Sequence, residues 1–142
     1  MENTTWLDNV KLLPLYFLFL GTFGQAGLEK LMSGGVPEWF RNQFAKTILN
    51  PFEGSITVNY YLIALLELGV VALFLWSGIS LEFLAGRERT VLKAALVLAL
   101  FVFFALGFGL RIAGDYQGAA NLFAYFGVTL LALLYVERFA SP

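Results

Sequence analysis

Four long stretches carry almost no charge and set the organisation of the chain. Residues 12–28 form an uncharged run of 17, and residues 54–81 are apolar or small and polar apart from one carboxylate, Glu67. Residues 94–110 give a second run of 17, with Phe101, Phe103, Phe104 and Phe108, and residues 116–136 give 21. Crossing about 30 Å of hydrocarbon takes roughly 20 apolar residues in a helix, so each stretch has the length of a membrane span. None shows sustained period-2 alternation, and a transmembrane barrel needs about eight strands or more, so strands are a poor alternative. The pattern predicts an all-α chain: a four-transmembrane-helix bundle with helices at about 11–31, 56–81, 89–112 and 117–138, in a single membrane domain over 1–142. Within the first run, Gly24-Gln25-Ala26 bears a loose likeness to a cleavage site, but Glu2 and Asp8 stand where a signal peptide carries basic residues. It is read as a retained helix.

The connection over 32–59 is too long for a bare turn. After Gly34-Gly35 and Pro37, the residues Phe40, Phe44 and Ile48 recur at i, i+4 and i+8, with Arg41, Asn42 and Lys46 off that stripe. This predicts a short amphipathic interfacial helix at about 37–49, closed by Asn50-Pro51, with Trp39, Phe40, Phe44 and Phe52 as interfacial anchors. A loose loop is the alternative. Arg87, Arg89 and Lys93 lie between the second and third runs, against Arg111 alone between the third and fourth, so the excess of basic residues puts both termini on the cytoplasmic side.

Composition narrows the chemistry. Hydrophobic residues make up 59% of the chain, charged residues 13%, and mean hydropathy is +0.76, which excludes a water-soluble globule. With no cysteine and no histidine, the chain lacks the usual ligands of haem, iron–sulfur clusters, copper and zinc, and Met1 and Met32 are its only soft donors. No intrinsic cofactor is expected, and no metal site. Nine basic against ten acidic residues give no positive field, which excludes nucleic acid as a partner.

Glu67 is the sharpest single feature, because an ionised group near the middle of a span is costly unless it is protonated, paired or turned inward. It could relay a proton or bind a quinone head group; it could equally fix helix packing. Other polar groups gather toward one leaflet: Gln25, Glu29 and Lys30 close the first run, Asn59, Tyr60 and Tyr61 open the second, and Arg111, Asp115, Tyr116 and Gln117 lie between the third and fourth. Gly118, Asn121, Tyr125 and Thr129 repeat every three or four residues, as a stripe expected to face inward. Arg111 and Asp115, at i and i+4, are expected to pair with each other. The alternative joins Arg111 to Lys30 as an anion or quinone-oxygen site with Tyr60 and Tyr125 as hydroxyl donors. The candidate pocket is therefore Gln25, Lys30, Tyr60, Glu67, Arg111, Asp115, Asn121 and Tyr125, in an outer half that is polar inside, above an inner half that is nearly all Leu, Val, Ala and Phe. Arg87, Glu88 and Arg89 read as a solvated turn. No catalytic residue is assigned.

Gly27-Leu28-Glu29-Lys30-Leu31, the segment with Pro37 and Phe40, Leu66-Glu67-Leu68-Gly69, and Gly114-Asp115-Tyr116-Gln117-Gly118 leading to Asn121-Leu122-Phe123-Ala124-Tyr125-Phe126-Gly127 together resemble the DoxX/DoxD-like small membrane proteins. The likeness covers most of the chain and rests on short motifs of common membrane residues. It implies four membrane helices, a bacterial or archaeal cytoplasmic (inner) membrane, and redox association of the thiosulfate:quinone oxidoreductase kind. Lys30 and Glu67 match as pattern positions, and no catalytic role follows for either. The expectation is an integral subunit of a larger membrane redox complex, in contact with lipid and with a cofactor-bearing subunit, with a quinone or small-anion pocket. A purely structural assembly subunit is the first alternative, and a small transporter the second.

Overall fold

The computed structural model describes residues 6–138, which are helical and contain no strand. In chain order the helices are α1 (Trp6–Val10), α2 (Leu13–Met32), α3 (Glu38–Phe44), α4 (Ser55–Ile79), α5 (Thr90–Ile112) and α6 (Tyr116–Arg138). The extensive pairings join α2 to α4, α4 to α5 and α5 to α6. Between them lies an apolar core, with Phe19 stacked on Phe74 at 5.0 Å and Phe23, Val70, Leu96, Ala99 and Val102 closed from outside.

Three of the helices, α4, α5 and α6, are long and apolar enough to cross a membrane, with mean hydropathies of 2.3, 2.5 and 1.8. Of the four spans expected, α2 does not join them, although it is 20 residues long. Gln25, Glu29 and Lys30 crowd its last two turns and dilute the apolar run that precedes them.

The connections follow from local chemistry. The N–H of Asp115 reaches the Leu110 carbonyl at 3.0 Å and that of Gly114 reaches Arg111 at 3.2 Å, with Gly114 at φ +83°, so α5 ends in a Schellman turn. Asp115 then starts α6, its Oδ1 accepting the Gly118 N–H at 2.9 Å. Replacing Asp115 with alanine removes that cap, and thermal unfolding in detergent should show a loss of about 1 kcal/mol. The expected Arg111–Asp115 pair is absent among the described residues, because this carboxylate serves the helix start and the Arg111 guanidinium lies 4.6 Å above the Tyr116 ring.

The connecting helix is shorter than the periodicity suggests. In place of 37–49 it covers Glu38–Phe44, since the side chains beyond it capture the backbone. Thr47 Oγ1 donates to the Phe44 carbonyl and accepts from the Leu49 N–H, and Asn50 Nδ2 donates to the Ala45 carbonyl. Ile48 consequently leaves the stripe and is exposed, whereas Phe40 and Phe44 are buried against Ile56 and Tyr60 instead of standing free as anchors. Trp39 and Phe52 are exposed.

The end of the bundle where α2 begins is not purely apolar. Ser77 Oγ donates to Glu82 Oε2 at 2.6 Å, which uses the only hydroxyl proton of Ser77, so the Tyr16 hydroxyl is the donor in its 2.7 Å contact with Ser77. Glu82 is buried and accepts the first free N–H groups of α5, those of Val91 and Leu92. Arg89 is no solvated residue either. It folds back to donate to the carbonyls of Leu84 and Arg87 and is only 3% exposed. Burial lowers its pKa from the ordinary arginine value, against an opposing pull from Tyr16, Glu82 and Tyr135.

Candidate functional site

At the opposite end, α2 and α4 approach closely at Gly27, where a Cβ would lie 2.8 Å from the Leu68 side chain. One turn further along α2, Lys30 reaches across to Glu67. Its ammonium donates to Glu67 Oε1 at 3.1 Å and Oε2 at 3.0 Å, and reaches the Ala26 carbonyl at 3.5 Å. The three protons of the ammonium are thereby directed. The Glu67 side chain is 3% exposed and that of Lys30 19%, so the pair sits at the edge of the interior with the lysine outward.

Beside this pair lies an open cleft of about 500 Å³ bordered by α3, α4 and α5. Its roof is Trp39, Phe40 and Phe44 of α3 with Leu49. Its walls are Leu62, Ile63 and Leu66 of α4 and Ala105, Leu106, Gly109 and Leu110 of α5. Four polar residues interrupt this apolar lining: Lys30, Gln43, Asn59 and Asp115. Asn59 is committed to the Leu49 carbonyl at 3.2 Å. Gln43 is half-buried and bonds to none of the described residues, which leaves a free amide donor and acceptor on the wall.

Of the residues singled out in the sequence, Lys30 and Asp115 line this cavity, and Glu67 stands directly behind Lys30. Tyr60 is buried edge-on to Phe40 at 4.9 Å and holds Ser33 through its hydroxyl at 3.3 Å, so it supports the roof. The remaining four lie elsewhere. Gln25 is exposed and donates to Glu29; Arg111 is exposed over Tyr116; Asn121 is exposed and accepts from Gln117. Tyr125 lines a separate groove of about 400 Å³ with Thr22, Phe103 and Thr129.

The inward stripe on α6 therefore fails at Asn121 and Tyr125. The face turned to α5 is Ala119, Leu122, Phe126, Thr129, Leu133 and Val136, a heptad-spaced row that is apolar at every position but Thr129 and overrides the polar spacing. Gln43 is a functional candidate the sequence reading missed. Its one signal is the i, i+4 spacing from Trp39, which puts both on one face of α3.

The charges decide what the cavity can accept. Lys30 is the only cation on its wall, and it is held by one carboxylate, Glu67, with a second, Asp115, on the same wall. One positive against two negative groups gives no field for an anion, so the site suits a neutral, largely apolar molecule with a hydrogen-bonding head. Comparisons with models of protein families, with curated proteins and with solved structures return no match, and the site is read from its own residues.

Proposed function

We propose that this chain is an integral subunit of a larger membrane redox complex and that the cavity under α3 receives the head of a quinone. The cavity carries the reading: an apolar cleft bordered by aromatic rings, with a free amide at Gln43 and an internally neutralised ion pair at its side. In this arrangement α2 crosses as a fourth span, because Glu67 neutralises Lys30 and the lysine stem leads outward toward the head groups. The cytoplasmic membrane of a bacterium or archaeon, with both termini inside, fits the distribution of basic residues and the DoxX/DoxD-like resemblance. Electrons come from a cofactor-bearing partner, since the chain has neither cysteine nor histidine.

A short-chain benzoquinone titrated into the purified chain should quench Trp39 fluorescence. Gln43→Leu should weaken that binding by roughly two- to tenfold, the worth of one hydrogen bond. Absence of quenching, or equal affinity in Gln43→Leu, would remove the quinone. Mild-detergent purification from native membranes tests the complex: a chain migrating alone has no redox partner.

One observation favours the alternative of a purely structural subunit. Both Glu67 oxygens are already satisfied by Lys30, which locks α2 to α4 without any ligand. A Glu67→Gln complex that assembles and turns over normally would choose that reading. For a transporter the support is weakest, because Phe23, Val70 and Phe74 fill the space between the two polar ends.

A further inference from the structure

Helix α6 carries a second heptad-spaced row, on the side away from α5, and none of the described residues covers it. Gln117, Asn121, Ala124, Val128 and Leu131 follow one another at spacings of four and three and all are exposed. Their helix is the least buried of the three that are long and apolar enough to cross a membrane. Asn121 lies five residues into it, about 7.5 Å along the axis. Gln117 Nε2 donates to Asn121 Oδ1 at 3.3 Å, which leaves the Asn121 amide donors and the Gln117 carbonyl unused.

We infer that this row is the contact between two copies of the chain, related by a twofold axis along the membrane normal. The inference rests on α6 spanning the bilayer, as proposed above. Two copies of one chain insert with the same orientation, so their α6 helices run parallel and each residue meets its own counterpart at one depth. Asn121 then meets Asn121, and an amide is complementary to itself, donating through nitrogen and accepting through oxygen. Facing acyl chains, those groups find no partner, whereas a second copy supplies one at the required depth. Ala124, one turn further, is small enough for the two backbones to close, and Val128 and Leu131 extend the seam inward.

The chain contains no cysteine, so single cysteines report this contact without background. In membranes under oxidising conditions, Gln117→Cys, Ala124→Cys and Val128→Cys should form disulfide-linked dimers. Phe123→Cys and Leu130→Cys, exposed on α6 but off the row, should not. Energy transfer between labelled chains in phosphatidylcholine vesicles should show association, weakened roughly three- to thirtyfold by Asn121→Leu, the range measured for single interhelical hydrogen bonds in membranes. A monomer at every protein-to-lipid ratio, crosslinks equal on and off the row, or an Asn121→Leu chain that associates as tightly as the parent would overturn the inference. A monomer would leave the face to lipid or to another subunit. Alkaline extraction of the same membranes reports separately on whether the chain is embedded at all.

Discussion

Replacing Lys30 with methionine is expected to destabilise the protein by about 3–5 kcal/mol, the usual consequence of stranding one member of a buried ion pair. The size follows from the asymmetry of the site. Glu67 is the inner member, 3% exposed, and both of its oxygens depend on the one ammonium. Without Lys30 the carboxylate must either stay charged among apolar side chains or take up a proton. Glu67→Gln should cost less, about 1–3 kcal/mol, because the amide oxygen still accepts one hydrogen bond and the Lys30 head, already partly exposed, can turn outward. Replacing both residues, Lys30→Met with Glu67→Leu, should recover most of the loss, since well-packed apolar pairs match buried ion pairs in stability. Reversible unfolding in mixed detergent micelles, with the Glu67→Leu single variant as the fourth corner, measures this cycle. A double variant no more stable than Lys30→Met alone would mean that the pair does more than neutralise itself.

What the sequence disclosed and what it hid divide along the range of the interactions. Long apolar runs are a local property, so the positions of α4, α5 and α6 were legible from residues 54–81, 94–110 and 116–136. Lys30 and Glu67 each stood out as charges near apolar runs, but their meeting depends on a close approach of two helices at Gly27, 40 residues before Glu67 along the chain. No spacing rule reaches that far. The cluster at the end where α2 begins was hidden for the same reason: Tyr16, Ser77 and Glu82 are separately unremarkable and converge only when α2 lies along α4.

Two local readings also failed, each because a competing local interaction was stronger. The stripe Phe40, Phe44, Ile48 suggested a helix running on to about residue 49, yet the hydroxyl of Thr47 and the amide of Asn50 take the carbonyls that the helix would need. On α6, the polar spacing of Asn121 and Tyr125 pointed inward, but burial of Leu122, Phe126, Leu133 and Val136 sets the rotation of the helix. That rotation is what leaves Asn121 exposed, and so it connects a failed expectation to the contact proposed for this face.

Glu82→Ala is expected to cost about 2–4 kcal/mol, and its effect should be felt at the start of α5 before the rest of the bundle. The helix α4 closes through Leu81, whose backbone enters the left-handed region at φ +59°, and this turn sends the Glu82 N–H back to the Ser77 carbonyl at 3.1 Å. The side chain is then delivered to three donors at once: Ser77 Oγ at 2.6 Å, the Val91 N–H at 3.1 Å and the Leu92 N–H at 2.7 Å. A carboxylate at a helix start also meets the positive end of the helix dipole, which adds to the hydrogen bonds. Alanine leaves the Leu92 N–H buried without its acceptor and removes a carboxylate that acts on the buried Arg89, whose Nε has no partner among the described residues. Glu82→Gln keeps the size and one acceptor oxygen and loses the charge, so it should fall between the parent and alanine. Hydrogen exchange of the Val91 and Leu92 amides reports this directly. Protection lost there in Glu82→Ala, with the amides of α4 and α6 unchanged, is the expected result; uniform loss across all helices would place the role of Glu82 in global packing instead of in the start of α5.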